Sequence, residues 1–206
     1  MDKIQELMFP KEKEKQLYIA VIEMINEDVD VRALTVSEIA KKAGVGKGTT
    51  YEYFKTKEEL VIKALFYDII KQITIVKELV DKKETFHDRF MVILDYMEAH
   101  RDDIKPFNYM FKMAAGSHES MGDIKEKYTC FDENVANKFI ESLIEWFYEI
   151  AEKENLVGDK NKLLLKSALL SQIVEFTMIL HNKCSDSIDM DEAKEYIYAG
   201  LLAKIK

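Results

Sequence analysis

The chain has 206 residues, 48% of them apolar and 11% aromatic, enough for one large or two small domains with a substantial core. Gly and Pro are scarce, at 7 and 2, and alternating Val/Ile/Thr runs are almost absent, which points to an all-α protein of about nine helices. No apolar run reaches the ~18 residues of a membrane span. The opening MDKIQELMFPKEKEK lacks the apolar stretch of a signal peptide. Cys130 and Cys184 show no metal-ligand spacing, so free thiols in a reducing cytoplasm are expected.

The net charge of −8 argues against a nucleic-acid partner until its distribution is read. Between Thr35 and Lys57 there are five lysines (Lys41, Lys42, Lys47, Lys55, Lys57) against Glu38 and Glu52, a net +3. Residues 1–34 carry −3 and residues 58–206 carry −8. A basic segment on an acidic body orients that segment toward a polyanion and suppresses non-specific binding elsewhere.

The first helix is expected to start near Pro10, a residue suited to a first turn. Leu17, Ala20, Val21, Met24 and Ile25 form an i, i+3, i+4, i+7, i+8 stripe, which the polar turn Asn26 to Asp30 ends. Thr35-x-x-Glu38 fits a capping box, and Ile39, Ala40 and Ala43 follow as a small apolar face. Gly44-Val45-Gly46 stops that helix, and Lys47 to Phe54 restarts it. Thr56-x-x-Glu59 is a second capping box, opening a long helix to about Val80. Two short helices joined by a glycine turn describe a helix-turn-helix, whose second helix can enter the DNA major groove; the same pattern also fits an ordinary helical hairpin.

The residues of this segment decide between the two. Leu34-Thr35-Val36-Ser37-Glu38-Ile39-Ala40, Ala43-Gly44-Val45, Lys47-Gly48-Thr49, Tyr51-x-Tyr53-Phe54 and Lys55-x-Lys57-Glu58-x-Leu60 resemble the DNA-binding domain of the tetracycline-repressor (TetR) family of bacterial transcription regulators. Beyond it the chain matches only in size and helical character. Gly46 stands where the family often has serine, which removes a hydroxyl able to touch phosphate. Thr50 stands where a larger aliphatic residue is common, so looser packing under the recognition helix is expected.

The resemblance implies a three-helix DNA head over residues 1–58 and a helical effector-binding and dimerisation body over 59–206. It also implies a cytoplasmic homodimer whose partners are double-stranded DNA and a small-molecule effector. DNA contacts are assigned to Thr35, Lys47, Gly48, Thr49, Tyr51, Tyr53 and Lys57. Lys47, Gly48 and Thr49 lie in the first turn of the recognition helix. There, lysine donates to guanine acceptors, threonine bonds either way, and glycine permits close approach. Tyr51, Tyr53 and Lys57 suit phosphate oxygens, and the N–H groups at the helix start near Lys57 favour an anion too. Tyr51 touches a base instead in the arrangement the family implies. Phe54 reads as core.

In the body, Thr85 caps a helix through Phe86, Phe90, Ile93, Leu94 and Met97 to about His100. Asp102 to Pro106 is a break, and Phe107 to Ala115 is a short apolar piece. A long helix follows from about Asp123 to Glu154, then a turn at Asn155 to Asp159. From about Lys162 to Asn182 a helix has its polar residues scattered around the circle, as in helices buried on more than one side. Asp189-x-x-Glu192 opens the last helix. Aromatic and methionine side chains are frequent here. They make either plain core or an adaptable pocket, and the resemblance favours a pocket lined by Phe107, Met110, Phe111, Trp146, Glu175 and Phe176. Glu175, a carboxylate in an apolar helix, is exposed at an edge, paired, or facing a ligand. The last two helices are expected to pair with a second copy as a four-helix bundle through Leu169, Ile173, Ile197, Gly200 and Leu201.

No Ser/His/Asp set, phosphate loop or zinc motif appears, and His87, His100, His118 and His181 are scattered. No catalytic residue, cofactor or metal is expected. A helical dimer that binds only protein partners is the remaining alternative, and a gel-shift on DNA beside its own gene separates it.

Overall fold

The structure, a computed structural model, describes residues 9–30, 33–101, 145–157, 162–182 and 187–206. Among them are eight helices and no strand: α1 (Glu12–Asn26), α2 (Val36–Lys42), α3 (Lys47–Tyr53), α4 (Lys57–Val80), α5 (Phe86–Ala99), α6 (residues 145–153), α7 (Lys162–Leu180) and α8 (Met190–Ile205). The break at 102–106, the apolar piece at 107–115 and the earlier part of the helix predicted from 123 lie outside the described residues. The described residues fall into two compact units, one through Thr74 and one from Ile75 onward. No helix among them is long and apolar enough to cross a membrane.

In the first unit, α1 begins slightly after Pro10. The Glu14 carboxylate accepts a 3.0 Å hydrogen bond from the backbone N–H of Lys11, the N-cap. Lysine has no acceptor to return the bond, so the cap is one-sided. Leu17, Tyr18, Ala20, Val21 and Ile25 face inward, close to the predicted stripe, with Met24 at its edge. Tyr18 lies 5.7 Å from the Phe54 ring and 5.4 Å from that of Tyr67. Burial, with Glu14 and Glu59 adding to it, pushes its phenol above the ordinary tyrosine range, so it packs as a neutral ring. Leu60, Val61, Ala64 and Leu65 complete this core, which therefore continues into α4 past residue 58.

In the second unit, Phe86, Phe90, Leu94 and Met97 of α5 turn inward. Phe86 meets the edge of Phe147 from α6 at 5.6 Å. The predicted caps form: Thr85 Oγ1 accepts from the Asp88 N–H at 3.1 Å, and Asp189 Oδ1 accepts from Asp191 and Glu192. Lys194 of α8 reaches Asp95 and Glu98 of α5, each at 2.7 Å. Burial works to lower the pKa of its ammonium, but the hydrogen bonds it donates to Asp95 and Glu98 outweigh that and hold it above the ordinary lysine range.

The paired helices α7 and α8 revise the expectation for the dimer. Ile197 and Leu201 are 0% exposed within a single chain, and Leu169 is also buried, so these three point into the chain's own core. Gly200 serves an internal contact: a Cβ there would stand 2.7 Å from Oε1 of the buried Gln172 on α7. Gln172 in turn donates to Glu175 at 3.2 Å, so its amide cannot swing away without cost. Sequence reading took the missing side chain as room for a symmetry mate, because a close helix crossing looks the same within and between chains. The same crossing predicts that Gly200→Ala destabilises the protein by about 1–3 kcal/mol through overpacking. In a Gln172→Ala background, where the obstruction is gone, the penalty should shrink toward zero. A double-mutant cycle by chemical denaturation measures that coupling.

Candidate nucleic-acid interface

The connection between α2 and α3 is the four-residue turn Ala43 to Gly46. Ala43 closes α2, and Gly44 takes φ +66°, the left-handed region that favours glycine. Val45 turns inward, and its N–H donates to the Ala40 carbonyl at 2.9 Å. Gly46, with φ −62°, is the N-cap of α3 without a side-chain bond. A Cβ there would meet only Thr49 Oγ1 at 3.7 Å, an ordinary contact, so a serine would fit.

The buried side of α3 is made by Thr50 and the adjoining Phe54. Thr50 is 1% exposed, and its hydroxyl donates to the Gly46 carbonyl at 3.2 Å, which satisfies the polar group that replaces an aliphatic one. Glu59 fastens the far end of α3 to α4. Its carboxylate accepts from the Lys55 N–H and from Lys63 Nζ, both at 2.8 Å. Burial would raise its pKa, but these bonds prevail and hold it below the ordinary glutamate range. The predicted second capping box is thus displaced by one residue: Thr56 accepts from the Glu59 N–H at 3.1 Å, while Glu59 returns its bond to Lys55. Lys63 Nζ also lies 5.6 Å from the centre of the Phe54 ring.

With that side fixed, Lys47, Gly48, Tyr51 and Glu52 are the exposed residues of α3. At ~100° per residue they occupy one continuous arc of about 140°. Thr49 flanks it and Tyr53 lies on the far side of the helix, both half-buried, with Lys11 Nζ 5.8 Å from the Tyr53 ring centre. Lys57 is the half-buried first residue of α4. Thr35 has a different position from the rest. Its hydroxyl donates to Glu38 at 2.7 Å and accepts from the Glu38 N–H at 3.3 Å, and its own N–H donates to the same carboxylate at 2.8 Å. The side-chain hydrogen bond, then the backbone one, holds the Glu38 carboxyl below its ordinary range. Thr35 is thereby engaged as a cap.

Two features of the arc run against helix stability. Glycine inside a helix costs roughly 0.5–1 kcal/mol relative to alanine, yet a Cβ at Gly48 would meet nothing within 4 Å. Helix dipoles favour acids in the first turn and bases in the last; α3 instead has Lys47 first and Glu52 next to last. Glu52 was counted in the sequence only as charge, and its position opposite to dipole preference was the legible signal.

The predicted effector residues are only partly described. Phe107, Met110 and Phe111 lie outside the described residues. Trp146 is half-buried, with Lys77 Nζ 5.7 Å from its ring centre. Glu175 is half-buried and paired with Gln172. Phe176 is 0% exposed.

Comparison with known proteins agrees with this geometry. The family model for bacterial regulatory proteins of the tetR family matches residues 23–64. An HTH-type transcriptional regulator of Staphylococcus aureus (strain bovine RF122 / ET3-1) is 23% identical over 159 residues, covering 77% of this chain and 78% of the relative. YhgD, an HTH-type transcriptional regulator of Bacillus subtilis, is 34% identical over 84 residues, 37% of this chain and 42% of the relative. Among solved structures, the transcriptional regulator FadR from Bacillus subtilis in complex with stearoyl-CoA superposes with a TM-score of 0.66 at 19% identity, over 93% of this chain and 99% of that one. These matches are transcription regulators rather than enzymes.

Gly48→Ala should therefore separate stability from binding. The open space at its Cβ predicts a gain of ~0.5–1 kcal/mol in unfolding free energy, seen by denaturant titration. The lost clearance predicts weaker duplex binding in a gel-shift.

Proposed function

We propose that the chain, whose residues 23–64 match the model of the tetR family of bacterial regulatory proteins, is a DNA-binding transcription regulator that acts as a ligand-responsive repressor. It binds a palindromic operator as a homodimer and is released by a small, largely apolar effector. The observation that carries the DNA side is the exposed arc of α3, where Lys47, Gly48 and Tyr51 stand together at a cost to helix stability. Lys47 and Gly48 are placed for base edges, and Tyr51, Tyr53 and Lys57 for phosphate.

Support for the dimer comes from the outward side of α7. Leu164, Leu170 and Met178 are exposed, Met178 at 68%, and Ser167, Ser171 and half-buried Val174 lie among them. This face is largely apolar, with the Lys204 ammonium on Ser171 and Glu175 at its edge, and a second copy would cover it. It replaces Leu169, Ile197 and Leu201 as the proposed contact, with Ile173 and Gly200 behind it. The stearoyl-CoA bound by the Bacillus subtilis FadR makes a long acyl chain the first apolar chemistry to test, with its polyanionic coenzyme A head as an added feature outside the apolar class. Differential affinity for the two conformers is all the coupling requires, with the shift carried by α4.

Titration of a self-selected operator across salt tests the DNA assignment. Lys57→Ala should weaken all sequences about equally and flatten the log–log salt slope by about one unit. Lys47→Ala should change which sequences are preferred. Stearoyl-CoA added to the same complex should release the DNA and alter the emission of Trp146, the single tryptophan. Met178→Glu should give folded monomers by light scattering, whereas Leu201→Glu should unfold the chain.

A further inference from the structure

Glu52 has no role in the reading so far, and its surroundings define one. It lies on the exposed arc of α3, one turn after Gly48 and beside Tyr51. Among the described residues it makes no hydrogen bond or ion pair. It sits at the helix end where a negative charge is disfavoured. It is the one acid on an arc that, in the reading above, faces a polyanion. A carboxylate there is repelled by phosphate and by the carbonyl and ring-nitrogen acceptors that crowd the major groove. It can only accept, and the donors the groove offers are the exocyclic amines of cytosine and adenine. In adenine the N7 acceptor stands beside the amine and repels an anion. Cytosine presents N4–H₂ without an acceptor on its own major-groove edge.

Resting on the assignment of α3 as the recognition helix, we infer that Glu52 is a specificity-determining residue that accepts a hydrogen bond from cytosine N4 in each half-site. Its charge also penalises every register in which no such donor meets it. One residue thereby raises affinity at the operator and lowers it on other DNA. The absence of a side chain at Gly48, one turn earlier, lets the helix come close enough for the short glutamate arm to reach a base edge.

The experiment selects duplexes from a randomised pool with full-length wild type, Glu52→Gln and Glu52→Ala, followed by titrations on the wild-type site with each base at every position and on an unrelated duplex. Wild type should select cytosine at one position per half-site and lose about tenfold or more in affinity when it is replaced by thymine. Both variants should reduce that loss to under threefold at that position alone, and Glu52→Gln should gain adenine there, since its amide pairs with N6 and N7. Both should bind the unrelated duplex several-fold tighter, with unchanged or higher melting temperatures. If wild type selects a site but the variants keep its preference at every position, the inference is overturned while the DNA reading stands. If wild type selects no sequence, the recognition-helix assignment fails and the inference with it. A lowered melting temperature in both variants, with unaltered selection, would assign Glu52 to the fold instead.

Discussion

A seven-residue helix cannot hold itself together in water, because the first turn fixes several residues for a single hydrogen bond and the remaining length barely repays it. Everything on the exposed side of α3 therefore depends on how its other side is anchored. Thr50 and Phe54 bury themselves against α1 and the start of α4, Val45 plugs the turn before it, and Glu59 with Lys63 ties its end to α4. The left-handed Gly44 lets α2 and α3 meet at an angle without strain. Rotating α3 by even one residue would turn ~100° of its surface from core to solvent, so this packing fixes which four residues face outward.

With the anchor doing the folding, the outward arc is released from the rules of helix stability. An uncalled-for glycine and a charge order opposed to the dipole persist there because Phe54 and its neighbours supply the stability elsewhere. Residues 58–206 carry a net −8, so the positive charge of the chain is concentrated in the segment that holds this arc.

The second unit solves a different problem. Its most apolar helix, α7, has no polar face to settle its orientation. The crossing of Gly200 past Gln172 and the burial of Phe176 select one side for the core. Lys194, clamped between Asp95 and Glu98, then pins α8 to α5. What α7 leaves outward, at Leu164, Leu170 and Met178, is largely apolar.

The amino-acid order alone determined the helical class, the positions of the caps at Thr35, Thr85 and Asp189, the turn at Gly44 and the helix-turn-helix segment that matches the tetR-family model. All of these are local: each rests on a hydrogen bond or a backbone angle within a few residues, and a short stretch of sequence contains both partners. Tertiary structure alone decided that the exposed arc of α3 includes Glu52. It also decided that Gly200 makes room for Gln172 of the same chain, and that Ile197 and Leu201 face inward while Met178 faces out. These depend on residues far apart in sequence, and on a helix apolar all round, whose pattern is equally compatible with any side being buried. Where periodicity carries no direction, only packing supplies it.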